Sequence, residues 1–513
     1  MERFIKRHEG RIEGIIAGYD RMIFRGTLRS ISYVKGMEIW LSSRGVLLKN
    51  FGKYAEGISQ EIIRRAEEMA KQVGQKVEYL NSAKESKEEI AREMAEEKGI
   101  QEGLVCILSS VEPCHSYSVR GDRESHKLRL VWGPRKCLHF YYYYLDREFG
   151  LMHVRLQSWF PFTIRVYING REYLARAMER EGIAFEKADN CFTRIADLPR
   201  AQQLMDELSK RRWVGLLNEL ARRVNPLMAK SANLDLRSYY WSIWEGEYAT
   251  DVLFKSTDDL EAIYPALCHH AIEVFGSKDV LRFLGRRTNA RFAGESSSSL
   301  KTRVEGVRVK HWVEENSIKI YDKAGSVLRV ETTINNPRRF KVRRRTTRQG
   351  KQTINWVPMR RGVADLGRRV ELSRAANGRY LDALAVVGIP TPSHRILDPV
   401  SKPVEKQGRR YRALRPISPE DSRLFGVVMR GEFELQSVRN QDVRRELYPE
   451  AELDPKARAK NSARVSRHLG MLRAHGLIQK VTNSNCYRAT KKGVEVMSTA
   501  IKFRDYDLAL LAN

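Results

Sequence analysis

The sequence predicts a multidomain α+β protein. Three observations carry that reading. The chain has 513 residues, and a domain takes roughly 100–200. Apolar residues recur with the two-residue period of strands in some segments and the helical period in others. A proline-dense stretch sets the C-terminal segment apart: Pro390, Pro392, Pro399, Pro403, Pro416 and Pro419 are six of the 16 prolines. The expected division has mixed α/β N-terminal and middle domains: 1–135, then 136–260 with the order β-β-β-α-β-α. Residues 261–388 form a helical, hairpin-containing basic domain, 389–415 a Pro/Arg-rich linker of semi-rigid, extended type, and 416–513 a separate C-terminal domain.

The elements follow in order. Residues 12–28 carry short apolar groups broken by Gly14, Gly18 and Gly26 and read as extended. Ile58, Ile62, Ala66 and Met69 lie on one face of a helix over 53–73. Ser86 caps a second helix over 86–98, with Glu89 three residues on. Residues 104–108 read as a buried strand. Residues 137–145, 151–158 and 163–168 are three more, joined by the turn at 146–150 and by Pro161. A helix over 171–180, a short strand over 184–187 and a helix over 200–222 complete the middle domain. Residues 251–283 read as mainly helical. Strands follow at 307–313, 317–321 and 327–334, the last two closed by the turn 322–326. A helix spans 360–384.

Charge bears on partners. The chain has 92 Lys+Arg against 63 Asp+Glu, a net +29 and a pI near 9.9. Residues 336–415 hold 21 Lys/Arg against five acids. Arg338, Arg339, Lys341, Arg343, Arg344, Arg345, Arg348 and Lys351 form the densest run. Concentration of this kind suits a surface that tracks a polyphosphate, so nucleic acid is the expected partner: DNA, with structured RNA as the alternative. The aromatic run 141–144 would serve the RNA reading as a stacking platform. No segment reaches the roughly 18–20 apolar residues of a membrane span, so no membrane partner is expected. The charged N-terminus and six scattered cysteines fit a soluble protein of a reducing, cytoplasmic compartment.

Residues 419–429, 438–447 and 457–474 read as three helices. Strands at 477–481 and 486–489 flank a polar turn, and a last helix covers 493–501. This order resembles a winged helix-turn-helix domain. Gly476-Leu477-Ile478 and Tyr487-Arg488-Ala489-Thr490 resemble the recognition-helix end and the wing of such DNA-binding regulators. On the third helix Val465, Leu469 and Leu472 fall on one face, and Lys460, Arg464, Arg467 and Met471 on the opposite one. The resemblance implies that Lys460, Arg464 and Arg467 face DNA, with Asn483 and Asn485 in the wing.

For chemistry, metal-dependent phosphoryl transfer needs clustered carboxylates. The order over 137–222 resembles the start of a ribonuclease H-like fold. Ala188-Asp189-Asn190-Cys191-Phe192 is similar to the Asp-Asn-Gly motif of retroviral-type integrases, with Cys191 in the glycine's place. The resemblance implies that Asp146 and Asp189 hold Mg²⁺, although Asp146 lies in the turn after the first strand. Glu207, Glu219, Glu247 and Asp251 are candidate third ligands. The hairpin Lys319-Ile320-Tyr321-Asp322-Lys323 … Leu328-Arg329-Val330-Glu331 is similar to one in rolling-circle replication initiators. It lacks their His-x-His pair, so its Arg329 and Glu331 are expected on a solvated strand face. The combined reading is a nucleic-acid-binding protein of mobile-element, recombination or replication type. Metal-dependent cleavage or strand transfer is the enzymatic alternative.

Overall fold

A computed structural model describes all residues except 82–84, 123, 125, 229–235, 237, 286–295, 304–305, 349–350, 388–392, 431–436, 453, 482–483 and 505–513. The chain is mixed α/β, with two compact units. No described helix is long and apolar enough to cross a membrane.

The first unit comprises Met1, His8–Tyr264 and Ser298–Tyr380. Its strands are β1 Ile12–Thr27, β2 Glu78–Tyr79, β3 Gly103–Gly121, β4 Leu128–Asp146, β5 Gly150–Gln157, β6 Ile164–Asn169, β7 Phe185–Ala188, β8 Cys191–Ile195, β9 Tyr240–Phe254, β10 Ser296–Arg303, β11 Gly306–Val313, β12 Asn316–Lys323, β13 Val327–Ile334, β14 Lys341–Arg348 and β15 Lys351–Pro358. Eleven of them form one sheet, in the order β10-β11-β12-β13-β9-β1-β6-β5-β4-β3-β2. The expected extended segment at 12–28 is therefore a central strand. The pairs β7–β8 and β14–β15 stand apart as two-stranded ribbons. Strand β4 runs through position 135/136, where a domain boundary was expected.

Alternation divides the central strands between two faces. Met22 and Phe24 of β1, Ile164, Val166 and Ile168 of β6, and Val154 and Leu156 of β5 are buried in the main core. Helix Phe51–Gln72 brings Ala55, Ile62 and Ala66 to that core, and helices Leu198–Lys210 and Trp213–Val224 bring Leu204, Leu208 and Leu217. The other face carries Arg25, Arg165, Arg155 and Tyr141 on adjacent strands, half-buried.

Two readings need correction. Asp251 was expected to open a helical region, but it lies within β9, and the helices begin at Thr257. The basic run after Arg339, read only as charge, is mostly the β14–β15 ribbon.

The second unit comprises Glu2–Arg7, Pro265–Ser297 and Leu381–Asn513. Helices Pro419–Val428, Asn440–Leu447 and Pro455–Ala474 are followed by a final helix, Lys491–Arg504. Strands Val438–Arg439, Cys486–Ala489 and Ile478–Lys480 form a sheet in that spatial order. Phe425, Val443, Val465, Leu469, Leu472 and Met497 share the core. Gly476, at φ +74°, ends the Pro455–Ala474 helix in the left-handed conformation glycine adopts at low cost.

Candidate functional site

The centre of the first unit's sheet holds a buried ionic network. In the β1–β9 pairing Tyr19 faces Tyr248 and Arg21 faces Glu247, so Asp20 is an extra residue in a bulge. A bulge re-aims its side chain, and here it turns Asp20 toward two arginines. Arg329 of β13 lies opposite Asp251 of β9. Its Nε and Nη2 donate to the Asp251 carboxylate at 2.6 and 2.8 Å. Its Nη1 lies 3.1 Å from Asp20. Arg171 Nη2 lies 2.8 Å from Asp251. Asn190 completes the ring: its Nδ2 donates to Asp20 at 2.7 Å, and its carbonyl accepts from Arg329.

Local sequence explains how Arg171 arrives there. Strand β6 ends at Asn169, whose side chain accepts from the backbone N–H groups of Arg171 and Glu172. That N-cap starts helix Gly170–Glu181 at once. A Cβ on Gly170 would sit 1.8 Å from the Tyr19 carbonyl oxygen, so only glycine lets the helix start abut β1 beside the bulge.

A second layer adjoins the first. Lys319 of β12 faces Glu331 of β13, with Nζ 2.6 Å from its carboxylate and 3.5 Å from Glu247. Tyr321 OH donates to Glu331 at 2.9 Å. Carboxylate oxygens of Asp20, Glu247 and Glu331 lie within 4.8 Å of one another. Burial raises the Asp20 carboxyl, despite Arg329 and Arg171. Burial likewise raises Glu331, despite Lys319. Burial also works against ionised Asp251, but Arg171 and Arg329 outweigh it and hold its carboxyl low. Three carboxylates this close favour taking up a proton or a cation. An all-oxygen donor set is of the kind hard cations take, and here Arg329 and Lys319 are the resident counter-charges of Asp20 and Glu331.

The expected residues fall as follows. Asp146 caps its turn, accepting from the Glu148 and Phe149 amides. Asp189 sits at φ +49° between β7 and β8, largely exposed, 2.6 Å from Lys323. The two have separate partners, and neither joins the carboxylate cluster. Of the candidate third ligands, Glu247 does join it, and Asp251 lies in the adjoining network. Arg329 and Glu331 share one strand face as expected, but that face is not solvated: both are buried. Asn190, between β7 and β8, and Arg171, at the start of helix Gly170–Glu181, reach that face: the Asn190 carbonyl accepts from Arg329, and Arg171 shares Asp251 with it.

The basic run divides by partner. Arg343 and Arg345 lie on the exposed face of the β14–β15 ribbon, opposite Trp356 and Ile354. Arg344 points the other way, and its Nη2 donates to both carboxylate oxygens of Asp365, at 2.6 and 2.5 Å. Arg338 is exposed, and Arg339 lies 3.3 Å from Glu314. Arg348 belongs to β14, but its side chain lies outside the described residues. Beside the ribbon is a cleft of about 1060 Å³ lined by Arg338, Arg344, Arg345, Arg360, Arg361 and Tyr240, among others.

On helix Pro455–Ala474, Val465, Leu469 and Leu472 are buried, and Lys460, Arg464 and Arg467 are exposed. Met471, expected on the exposed side, is buried in the core. Arg464 lies 3.3 Å from Glu420 and over the Tyr448 ring. Asn485 is exposed beside its strand, and Asn483 lies outside the described residues.

Comparison with known proteins gives no match to a family, a curated protein or a solved structure.

Proposed function

We propose that this chain is a nucleic-acid-binding protein that docks on duplex DNA through helix Pro455–Ala474, the reading helix of a winged helix-turn-helix. The observation that carries the reading is the helix's opposed stripes. Val465, Leu469 and Leu472 dock it on its unit, while Lys460, Arg464 and Arg467 are left to solvent. A major-groove helix needs that division: one face held by the domain, the other free for phosphates and base edges. The three helices and three-stranded sheet around it have the order such domains use. The net charge of +29 supports the same partner. A mobile-element, recombination or replication role suits a DNA-docking unit joined to the larger first unit with its own basic cleft.

The test is binding of the full chain to a labelled duplex between about 50 and 200 mM salt. Arg467→Ala should flatten the salt slope by about one, the loss of one phosphate contact. Absence of salt-dependent duplex affinity in the wild type overturns the reading. Affinity for a structured RNA in its place would favour the RNA alternative.

A second reading, metal-dependent phosphodiester cleavage or transfer, is favoured by the convergence of Asp20, Glu247 and Glu331. These residues would hold Mg²⁺, which would polarise a phosphate oxygen and activate water. Incubating the same duplex with Mg²⁺ tests it: cleavage should appear and should be lost in Asp20→Asn.

A further inference from the structure

The polar face of the large sheet holds a second cationic feature, built on strands of the sheet and not on the ribbon. Cross-strand register sets Arg25 of β1 beside Arg165 of β6, and Arg165 beside Arg155 of β5. Neighbouring strands lie about 4.8 Å apart, so three guanidinium stems stand side by side. Among the described residues, Arg155 alone of the three has an acid, Glu112, at 2.6 Å. Arg25 and Arg165 make no ion pair among the described residues, and the Nε of each is buried without a hydrogen-bond partner. Both guanidinium groups lie over the Trp244 ring, 4.7 and 4.5 Å from its centre.

The placement of Trp244 is itself unusual. In the β1–β9 pairing Ile23 faces Glu245 and Phe24 faces Ile243, so Trp244 is the extra residue of a bulge. Ring stacking orients a guanidinium without neutralising it. Burial, together with repulsion from Arg361 and Arg155, weakens the proton's hold on Arg25. Burial and the charges of Arg155 and Arg25 bring Arg165 down to about 10. Two half-buried cations without an ion pair, Arg165 drawing only on the more distant Glu112, carry a cost that an anion would reduce.

The feature is continuous with the basic cleft. The Ile243 amide donates to the Arg361 carbonyl at 2.8 Å, Ser242 bridges Gly362, and Tyr240 and Arg361 line the cleft. In the other direction Glu247 of the carboxylate cluster is three residues along β9, about 10 Å at the strand rise.

We propose that Arg25 and Arg165, held on Trp244, bind the phosphodiester backbone of a single nucleic-acid strand and carry it from the basic cleft toward Asp20, Glu247 and Glu331. The proposal rests on the nucleic-acid reading above. Paired guanidinium forks match phosphate oxygens. Side chains recessed in a sheet face are reached by a flexible strand, whereas a duplex presents its phosphates on a rigid cylinder.

The test uses the full chain with two labelled probes, a thymidine oligonucleotide and a duplex of equal length. In R25Q/R165Q the slope of log affinity against log salt for the oligonucleotide should flatten by about 1.4, at roughly 0.7 per phosphate. The duplex slope should be unchanged, whereas Arg467→Ala should affect the duplex. An unchanged oligonucleotide slope in a folded double variant, or a duplex slope that falls instead, overturns the proposal and leaves the DNA-docking reading standing. Wild-type chain that binds neither probe overturns both. Should the double variant not fold, phenylglyoxal modification of the wild type decides. The oligonucleotide should protect Arg25 and Arg165, and their undiminished modification at saturation rejects the site.

Discussion

Glu112 shows how one side chain settles the charge of its neighbours. Tyr141 OH donates to it at 2.6 Å, Ser110 at 2.8 Å and Arg155 Nη2 at 2.6 Å. Burial opposes its charge, but these partners outweigh burial and bring its carboxyl from 4.5 to about 2. A carboxyl held low in the folded state binds fewer protons there than when unfolded. Its contribution is therefore full above the ordinary value and lost as pH falls from about 4.5 to about 2. Thermal melting of wild type and Glu112→Gln across that window should give curves that converge toward the acid end, with the wild type more stable above it. Parallel curves would show that Glu112 is not the group titrating. The same residue scale marks a limit of sequence reading. Alternation assigned Arg329 and Glu331 to one strand face, as observed. It could not tell that the face is buried, because the counter-charges of Arg329, Asp20 and Asp251, come from remote positions in the chain.

At the level of elements, legibility followed how regular the period was. The capped helix after Ser86, strands β5 and β6 and most C-terminal elements lie close to where expected, whereas β4 covers the expected 137–145 but starts earlier, at Leu128. Strand β9 was left unassigned over 240–250, where the bulge at Trp244 shifts the alternation and Gly246 and two glutamates interrupt the apolar pattern, and its end from Asp251 was read as helix. The same irregularities place Trp244 and Glu247, so the features that hid the strand are those that build the candidate site. Strand β3 extends far past the expected 104–108 for a different reason. Strand β2 pairs only with Leu108 and Ser109, so beyond that point β3 is an edge strand, where Pro113 is tolerated. An element-level prediction follows from the junction of β6 and its helix. Gly170→Ala drives a methyl into the Tyr19 carbonyl oxygen, which belongs to a central strand and has little room to yield. The variant should lose about 1–3 kcal/mol in urea unfolding. It should also push Arg171 away from Asp20 and Asp251. Wild-type stability would mean that the helix start moves freely against β1.

Over the whole molecule, the charge total was legible from composition, but its distribution between structure and surface was not. Of the basic run, Arg344 serves the fold and Arg343 and Arg345 face outward, although all three are adjacent in sequence and alike in chemistry. Strand alternation makes the division: Arg344 turns toward Asp365, which also accepts the Arg360 amide. The other two share the outward face with Lys341 and Trp356, and neither has an intramolecular ion pair among the described residues. The two classes should separate in measurement. Arg343→Ala/Arg345→Ala should leave the melting temperature near wild type and, if both contact duplex phosphates, flatten the salt slope of binding by about 1.8, at roughly 0.9 per contact. Arg344→Ala should do the reverse. It leaves the buried Asp365 carboxylate without its guanidinium, which costs about 1–3 kcal/mol of stability, and it should change the slope little once binding is measured on folded protein. If the three arginines behaved alike in both measurements, the run would act as an unstructured basic tract and not as a ribbon with two distinct faces.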